Sequence, residues 1–336
     1  MLTISCQAPR KLVAIDRPRP QRQPGEVLVR VRRVGVCGTD LHIYTGNQPY
    51  INYPRVMGHE LAGEVEEADA GAGLARGDAV YVMPYLSCGR CIACRHGKTN
   101  CCVAIQVLGV HRDGALAEYV SVPAGFVHRA EGISLDQAAM LEFLAIGAHA
   151  VRRAAIRPGE RVLVGGAGPI GLAVMLFARL CGARVVAIAG RADRLAFATR
   201  HIGIERAIPL GEGDEQALSE WSEGESFDAV FDATGNPSAM ERGFRFIAHG
   251  GRYVLVSIVQ GELRFSDPEF HKREATLLAS RNATTEDFAT VLAAMRAGQV
   301  PWEALATHRL QLHELPDTFA SLLDPALGVI KAIVEC

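Results

Sequence analysis

Four cysteines crowd one short segment, Cys88-x2-Cys91-x2-Cys94-x7-Cys102. Two-residue spacers let neighbouring thiolates converge, and four thiolates complete the tetrahedral shell of a zinc ion. A full shell leaves no open position, so this centre is expected to be structural. A zinc ribbon that touches nucleic acid and a set of free buried thiols are the other readings of the same residues. Cys101, beside Cys102, competes as the fourth ligand on spacing alone. A second constellation is more dispersed: Cys37 in Val36-Cys37-Gly38-Thr39-Asp40-Leu41-His42, and His59-Glu60 in Met57-Gly58-His59-Glu60. Thiolate, imidazole and carboxylate are the donors of a catalytic zinc, which keeps one position open for water or substrate. Taken singly, Cys37 reads as a small core residue and His59 as an ordinary hydrogen-bonded histidine. The His59-Glu60 pair is not a zincin motif, because position 63 is Gly rather than His.

A third signal is Gly165-Gly166-Ala167-Gly168-Pro169-Ile170-Gly171, which holds G-x-G-x-x-G at Gly166, Gly168 and Gly171. It follows the apolar run Val162-Leu163-Val164 and opens a helical pattern, the context in which such a loop binds a dinucleotide. The pyrophosphate then lies against free N–H groups and the positive end of the helix dipole. The acidic residue that grips the ribose 2′-hydroxyl is expected about 20 residues on. That place reads Ala187-Ile188-Ala189-Gly190-Arg191. Ala189 offers no carboxylate and Arg191 can pair with a 2′-phosphate, so the residues lean toward NADP over NAD. Asp193 is placed to cap the following helix. Arg191 stacked on adenine, with no selectivity, is the alternative.

These groups need two kinds of scaffold. The first 150 residues look β-rich, with strands predicted at 26–32, 61–67 and 78–82 between Gly and Pro punctuation. Helices are expected from about 134, with Ser134 as N-cap. From 162 the pattern alternates: strand 162–164, helix 170–180, strands 185–189, 227–232 and 253–256. That rhythm predicts a parallel sheet with helices on both faces. The stretches 211–214 and 222–226 read as surface loops. Beyond about 285 the chain is helical again and closes on a strand over 329–334. Two domains are therefore expected, one from 1–150 with 286–336 and one from 151–285.

Composition narrows the classes further. Lys plus Arg number 35 and Asp plus Glu 37, a net charge of −2 that argues against a dedicated nucleic-acid binder or an anionic membrane partner. The longest uncharged run, Val162 to Ala178, is broken by four glycines and a proline, so a membrane span is not expected. The start, Met1-Leu2-Thr3-Ile4-Ser5-Cys6, lacks the pattern of a secretory signal. Nine cysteines in a clustered arrangement suit metal binding in a reducing cytoplasm better than disulfides.

The Cys37-Gly38-Thr39-Asp40 and Gly58-His59-Glu60 segments together with the four-cysteine lobe resemble the zinc-containing medium-chain alcohol dehydrogenases, in order and spacing over essentially the whole chain. The resemblance implies an α/β architecture, a GroES-like β-rich catalytic domain plus a Rossmann domain. It also implies two zinc ions per chain, NAD(P), and a homodimer or homotetramer. By position, Cys37 and His59 would bind the catalytic zinc and Asp40 would orient His59. Thr39 would receive the alcohol proton and His42 would pass it to solvent. Glu60 would be a ligand or a swinging near-ligand. Glu142, in Met140-Leu141-Glu142-Phe143, stands where the polyol and sugar dehydrogenase branch places a zinc-ligating glutamate, although that branch usually has Pro where Phe143 stands. An exposed helix residue is the plain alternative for Glu142. Thr234 would join the cofactor residues. The stretches 265–274 and 279–284, with Gly109–Gly114 and the Cys101-Cys102 pair, resemble the bacterial L-galactonate 5-dehydrogenases of the sugar-acid branch. Arg281 becomes a candidate partner for a substrate carboxylate or a cofactor phosphate. Another polyol, sugar-phosphate or threonine 3-dehydrogenase-like activity is the nearest alternative, and a non-enzymatic dinucleotide-binding redox sensor is a more distant one.

Overall fold

The computed structural model describes residues 1–48 and 51–336. The chain divides into two compact units, Met1–Glu142 with Thr284–Cys336, and Phe143–Ala283. The first division falls inside the helix Leu141–Ala154, so that Glu142 closes one unit and Phe143 opens the other.

The first unit is built on the strand Glu26–Val36, where Val27, Val29, Val31 and Val34 are buried. Alternating β-branched residues suit a pleated surface packed on a core. This strand is central to a seven-stranded sheet, ordered His308–Gln311, Ala332–Glu335, Glu26–Val36, Glu60–Glu67, Ala79–Val82 and Val127–Arg129, with Tyr119–Pro123 also paired to it. Register decides what meets what. Gly35 faces Glu60 across one antiparallel ladder, and Val36 faces Ala332 across the other. The end of one strand, the start of the second and the start of the third therefore share one corner. Cys37, His59 and Lys331 are the residues immediately outside those paired positions. The last strand begins at Ala332 rather than 329, because Gly328 holds a left-handed backbone at the end of a short turn. Ser134 caps its helix by accepting from the Gln137 N–H.

The second unit holds a six-stranded sheet ordered Arg206–Pro209, Arg184–Ala189, Arg161–Gly165, Phe227–Asp232, Ile247–Leu255 and Thr276–Ala279. Every pairing is parallel. Numbered within the unit the order is 3-2-1-4-5-6, whose switch point lies between the first and fourth strands, where doubly wound sheets bind ligands. The uncharged run starting at Val162 is a strand, a turn and the buried helix Pro169–Leu180. No helix among the described residues is long and apolar enough to cross a membrane. Of the segment 211–214, read from sequence as surface loop, residues 211–213 are an exposed turn and Asp214 differs. Asp214 starts the helix Asp214–Trp221 and is buried, with its carboxylate paired to Arg242. Ser222 is buried too.

Candidate functional site

The four-cysteine segment folds as a lobe of short turns around the helix Ile92–Arg95. Cys88, Cys91, Cys94 and Cys102 bring one sulfur each to within 4.8 Å of the others. The Cys91 and Cys94 sulfurs are 3.5 Å apart, and the Cys88 N–H donates to the Cys102 sulfur at 3.3 Å. Cys102 is buried while Cys101 is exposed, so geometry selects Cys102 as the fourth donor. Backbone N–H groups of Cys94 and Val103 bring the Cys91 thiol down to about 6. Desolvation and its neighbours push Cys94 up to about 11. Four thiolates side by side repel one another, and a dication is what discharges them together.

The second cluster sits at the shared corner of the first unit. One donor atom each from Cys37, His59 and Glu60 lies within 4.8 Å of the others. Cys37 precedes the helix Gly38–Thr45. His59 follows Gly58, whose φ of +93° is left-handed and disfavours any side chain. Asp40 links the two turns: its carboxylate accepts from the Cys37 N–H at 2.9 Å and the Gly58 N–H at 3.2 Å. It lies 3.7 Å from His59 Nδ1, too far for a hydrogen bond, so its visible work is on the backbone rather than on the ring. Burial raises the Asp40 carboxyl above the usual range, against the pull of His59. Burial also works to lower His59, but Asp40 and the Cys37 sulfur outweigh it and hold the imidazole well above its ordinary value. Thr39 is half-buried and His42 exposed, three residues apart on one helix face.

Glu142 is buried, not an exposed helix residue. Its Oε1 accepts from the Tyr85 hydroxyl, while its Oε2 is buried with no partner. Burial pushes its carboxyl up to about 7, despite the pull of His59. An orphaned carboxylate oxygen within electrostatic reach of His59 fits a dication held near that imidazole and the Cys37 thiol, since a buried charge without a partner is otherwise costly. Glu60 is fully buried and gives both oxygens to Lys331 Nζ, at 2.7 and 2.8 Å. Tyr85 and Lys331 were not singled out from sequence. A lone lysine amid the apolar residues 329–334 was the available signal for Lys331; Tyr85 carries none.

In the second unit a cavity of about 580 Å³ lies at the switch point of the sheet, lined by Gly166, Gly168, Ala189, Arg191, Asp232 and Thr234 among others. A Cβ at Gly171 would fall 2.1 Å from the Gly166 carbonyl oxygen, so turn and helix pack too closely for a side chain. A Cβ at Gly168 would meet nothing within 4 Å. The fold itself does not need that glycine; the room in front of it is a cradle at the N-terminus of the helix Pro169–Leu180, where Pro169 and Ile170 form the first turn. Asp232 fixes the opposite wall by accepting from the Thr234 and Ser257 hydroxyls at 2.8 and 2.6 Å. Asp193 lies in the first turn rather than at the N-cap, which is Arg191, and it binds the Arg191 guanidinium at 3.0 and 2.6 Å. Arg194, which sequence reading passed over, is buried and lines the same cavity. Arg281 is exposed just beyond the strand Thr276–Ala279 and is not among the residues lining this cavity.

Comparison with known proteins matches this geometry to a family. A model described as the alcohol dehydrogenase GroES-like domain fits residues 23–132, and one described as zinc-binding dehydrogenase fits residues 169–297. L-galactonate-5-dehydrogenase of Escherichia coli (strain K12) is 45% identical over 339 residues, spanning 99% of this chain and 98% of that protein. The chain belongs to the zinc-type medium-chain alcohol dehydrogenase family. Two solved members of this dehydrogenase fold show cofactor in their complexes. The alcohol dehydrogenase RspB of Escherichia coli CFT073, with NADH, has a TM-score of 0.92 at 30% identity over 100% of this chain and 99% of that one. A zinc-binding dehydrogenase of Sinorhizobium meliloti 1021, bound to NADP, has a TM-score of 0.92 at 27% identity over the same shares. This dehydrogenase thus has the expected architecture, a GroES-like part and a Rossmann part, and is a zinc- and NAD(P)-dependent oxidoreductase.

Proposed function

We propose that this enzyme oxidises a secondary hydroxyl of a sugar acid or polyol, an L-galactonate 5-dehydrogenase-like activity. The observation that carries the proposal is the buried, unpartnered Glu142 Oε2, within electrostatic reach of His59, in a chain 45% identical to an L-galactonate-5-dehydrogenase. Cys37, His59 and Glu142 would hold the catalytic zinc, and Cys88, Cys91, Cys94 and Cys102 the structural one. The bound zinc and nicotinamide supply Lewis acidity toward the alcohol oxygen and acceptance of a hydride. The protein's own residues do the rest. Tyr85 fixes Glu142 by its Oε1, and Asp40 fixes the turns that carry Cys37 and His59. Thr39 receives the hydroxyl proton and His42, exposed on the same helix face, returns it to solvent.

In the second unit, the Gly168 cradle and the helix N-terminus take the pyrophosphate, with Thr234 on the facing loop. The absence of a carboxylate at Ala189, with Arg191 and Arg194 lining the cavity, supports a preference for NADP. Arg281 is kept as a candidate for a substrate carboxylate or cofactor phosphate. A homodimer or homotetramer is supported by the strand Thr276–Ala279, an unpaired sheet edge on which Leu277 is 41% exposed. A cytoplasmic setting suits nine cysteines that are all unbridged. The test is a spectrophotometric screen of L-galactonate, other sugar acids, polyols and L-threonine with NAD and NADP. Turnover greatest on a sugar acid or polyol supports the proposal; turnover confined to L-threonine or to simple alcohols overturns it.

A further inference from the structure

A groove of about 730 Å³ runs through the second unit, between the helix Pro237–Gly243 with the turn that follows it and the segment 264–273. Four arginines line it, Arg242, Arg245, Arg264 and Arg273, against two acids, Glu241 and Glu269. The arginines are committed to different degrees. Arg242 donates to Asp214 and Glu215 at 2.8 and 3.0 Å. Arg273 donates to the Arg245 and Ile247 carbonyl oxygens and lies 3.7 Å from Glu269. Arg245 reaches Glu215 only at 3.7 Å, and its side chain is 73% exposed. The Arg264 guanidinium makes no ion pair or hydrogen bond among the described residues. Glu241 is no partner for it, since that acid accepts from the Arg264 backbone N–H at 2.9 Å. Beside Arg264 stands Phe265, 44% exposed. Phe244 stacks on one face of its ring, centroids 4.6 Å apart and 18° from parallel, which leaves the other face open. An open ring face next to an uncommitted guanidinium suits a ligand that is flat at one end and anionic at the other.

We propose that this groove is an effector site for a phosphate monoester carried on a flat ring. The phosphate pairs with Arg264 and Arg245, and the ring lies on Phe265. Ser238 and Arg242 line both this groove and the cavity at the switch point. A dianion in the groove therefore stands behind a wall of the cavity that takes the cofactor phosphates, and the two ligands repel each other across it. By linkage each weakens the other by the same factor. The linkage rests on the cofactor placement proposed above.

Phenyl phosphate is the probe, and the NADPH Kd, followed by its fluorescence, is the readout. The Kd is expected to rise several-fold as phenyl phosphate is added and then to level off, because two separate sites give a bounded effect. Inorganic phosphate is expected to need a several-fold higher concentration for half the effect, and Phe265→Ala to erase that difference. Arg264→Gln is expected to leave the NADPH Kd itself unchanged and to raise the half-effect concentration of phenyl phosphate by about tenfold or more. A Kd that rises without limit puts the probe inside the cofactor cavity and overturns the proposal, as does a Kd that does not rise. A half-effect concentration unchanged in Arg264→Gln means an adventitious additive only and overturns it equally. If Phe265→Ala fails to fold, the exposed Arg264→Gln decides alone. Gly168→Asp tests the cofactor placement separately, by setting a charge in the cradle. Unchanged NADPH affinity in that variant overturns the placement, a distinct failure that takes the linkage with it.

Discussion

The two clusters that could hold a metal in this enzyme are assembled in opposite ways. The four-cysteine lobe draws its donors from one stretch of chain, Cys88 to Cys102, shaped by tight turns and one short helix. The corner proposed for the catalytic zinc draws on three separate elements: sheet register brings Cys37 and His59 together, and Glu142 comes from the helix Leu141–Ala154. The lobe is full on its own thiolates. The corner keeps an acid oxygen unpartnered and surrounds its donors with Asp40, Tyr85 and Lys331. A closed centre can be made from local chain alone, because it needs only to hold an ion. A reactive centre needs donors whose positions are set by something rigid, here the hydrogen-bonded ends of two strands and the first turn of a helix.

That contrast is broken most severely at the corner's first donors. Cys37→Ala or His59→Ala is expected to reduce turnover to background while the lobe keeps its metal; wild-type turnover in either variant would refute the mechanism. Next comes the lobe. Cys102→Ser removes its buried donor, and trypsin is then expected to cut the loosened lobe faster at the exposed Arg90, Arg95 and Lys98 than it cuts the wild type. An unchanged rate of cutting would mean that the lobe does not depend on its ion. Asp40→Asn keeps shape but weakens the tie between the Cys37 and Gly58 turns, and is expected to cost about 10- to 100-fold in metal affinity or activity. Equal affinity by chelator competition would remove Asp40 from the account.

Away from both centres lies the smallest effect. Arg242 holds the Asp214 carboxyl below its ordinary value of 3.8 through their hydrogen bonds. A lowered pKa contributes stability that is present above the unfolded value and is lost as pH falls through the folded one. Arg242→Met strands the buried carboxylate and is expected to cost about 3 kcal/mol near neutral pH. The difference from wild type in urea unfolding should shrink below about pH 4 as the carboxyl protonates. A difference that does not change with pH would assign the loss to packing.

The same contrast explains what could be read from the sequence. Spacing alone announced the lobe, since its chemistry is local, yet only burial separated Cys102 from Cys101. The parallel sheet and its glycine turn were legible because period and punctuation are local as well, and the strand 227–232 falls where the pattern placed it. Cys37 and His59 stood out by residue type, but their meeting depends on the facing of Gly35 with Glu60, which no single segment encodes. Lys331 was hidden for the same reason: a lysine in an apolar strand declares itself only when its partner, distant in sequence, is known. Asp193 and Asp214 were misread because an acid near a helix start can cap, pair or remain in solvent, and the arginine that decides lies elsewhere: two residues back for Asp193, on another helix for Asp214.

The most direct test of the central claim is elemental analysis of the purified chain beside its Cys37→Ala, His59→Ala double variant. The account predicts that zinc per chain falls from two equivalents to one, matching the two donor clusters, with the remaining ion lost only on denaturation. A wild type holding a single equivalent, or a double variant that still holds both, would contradict it.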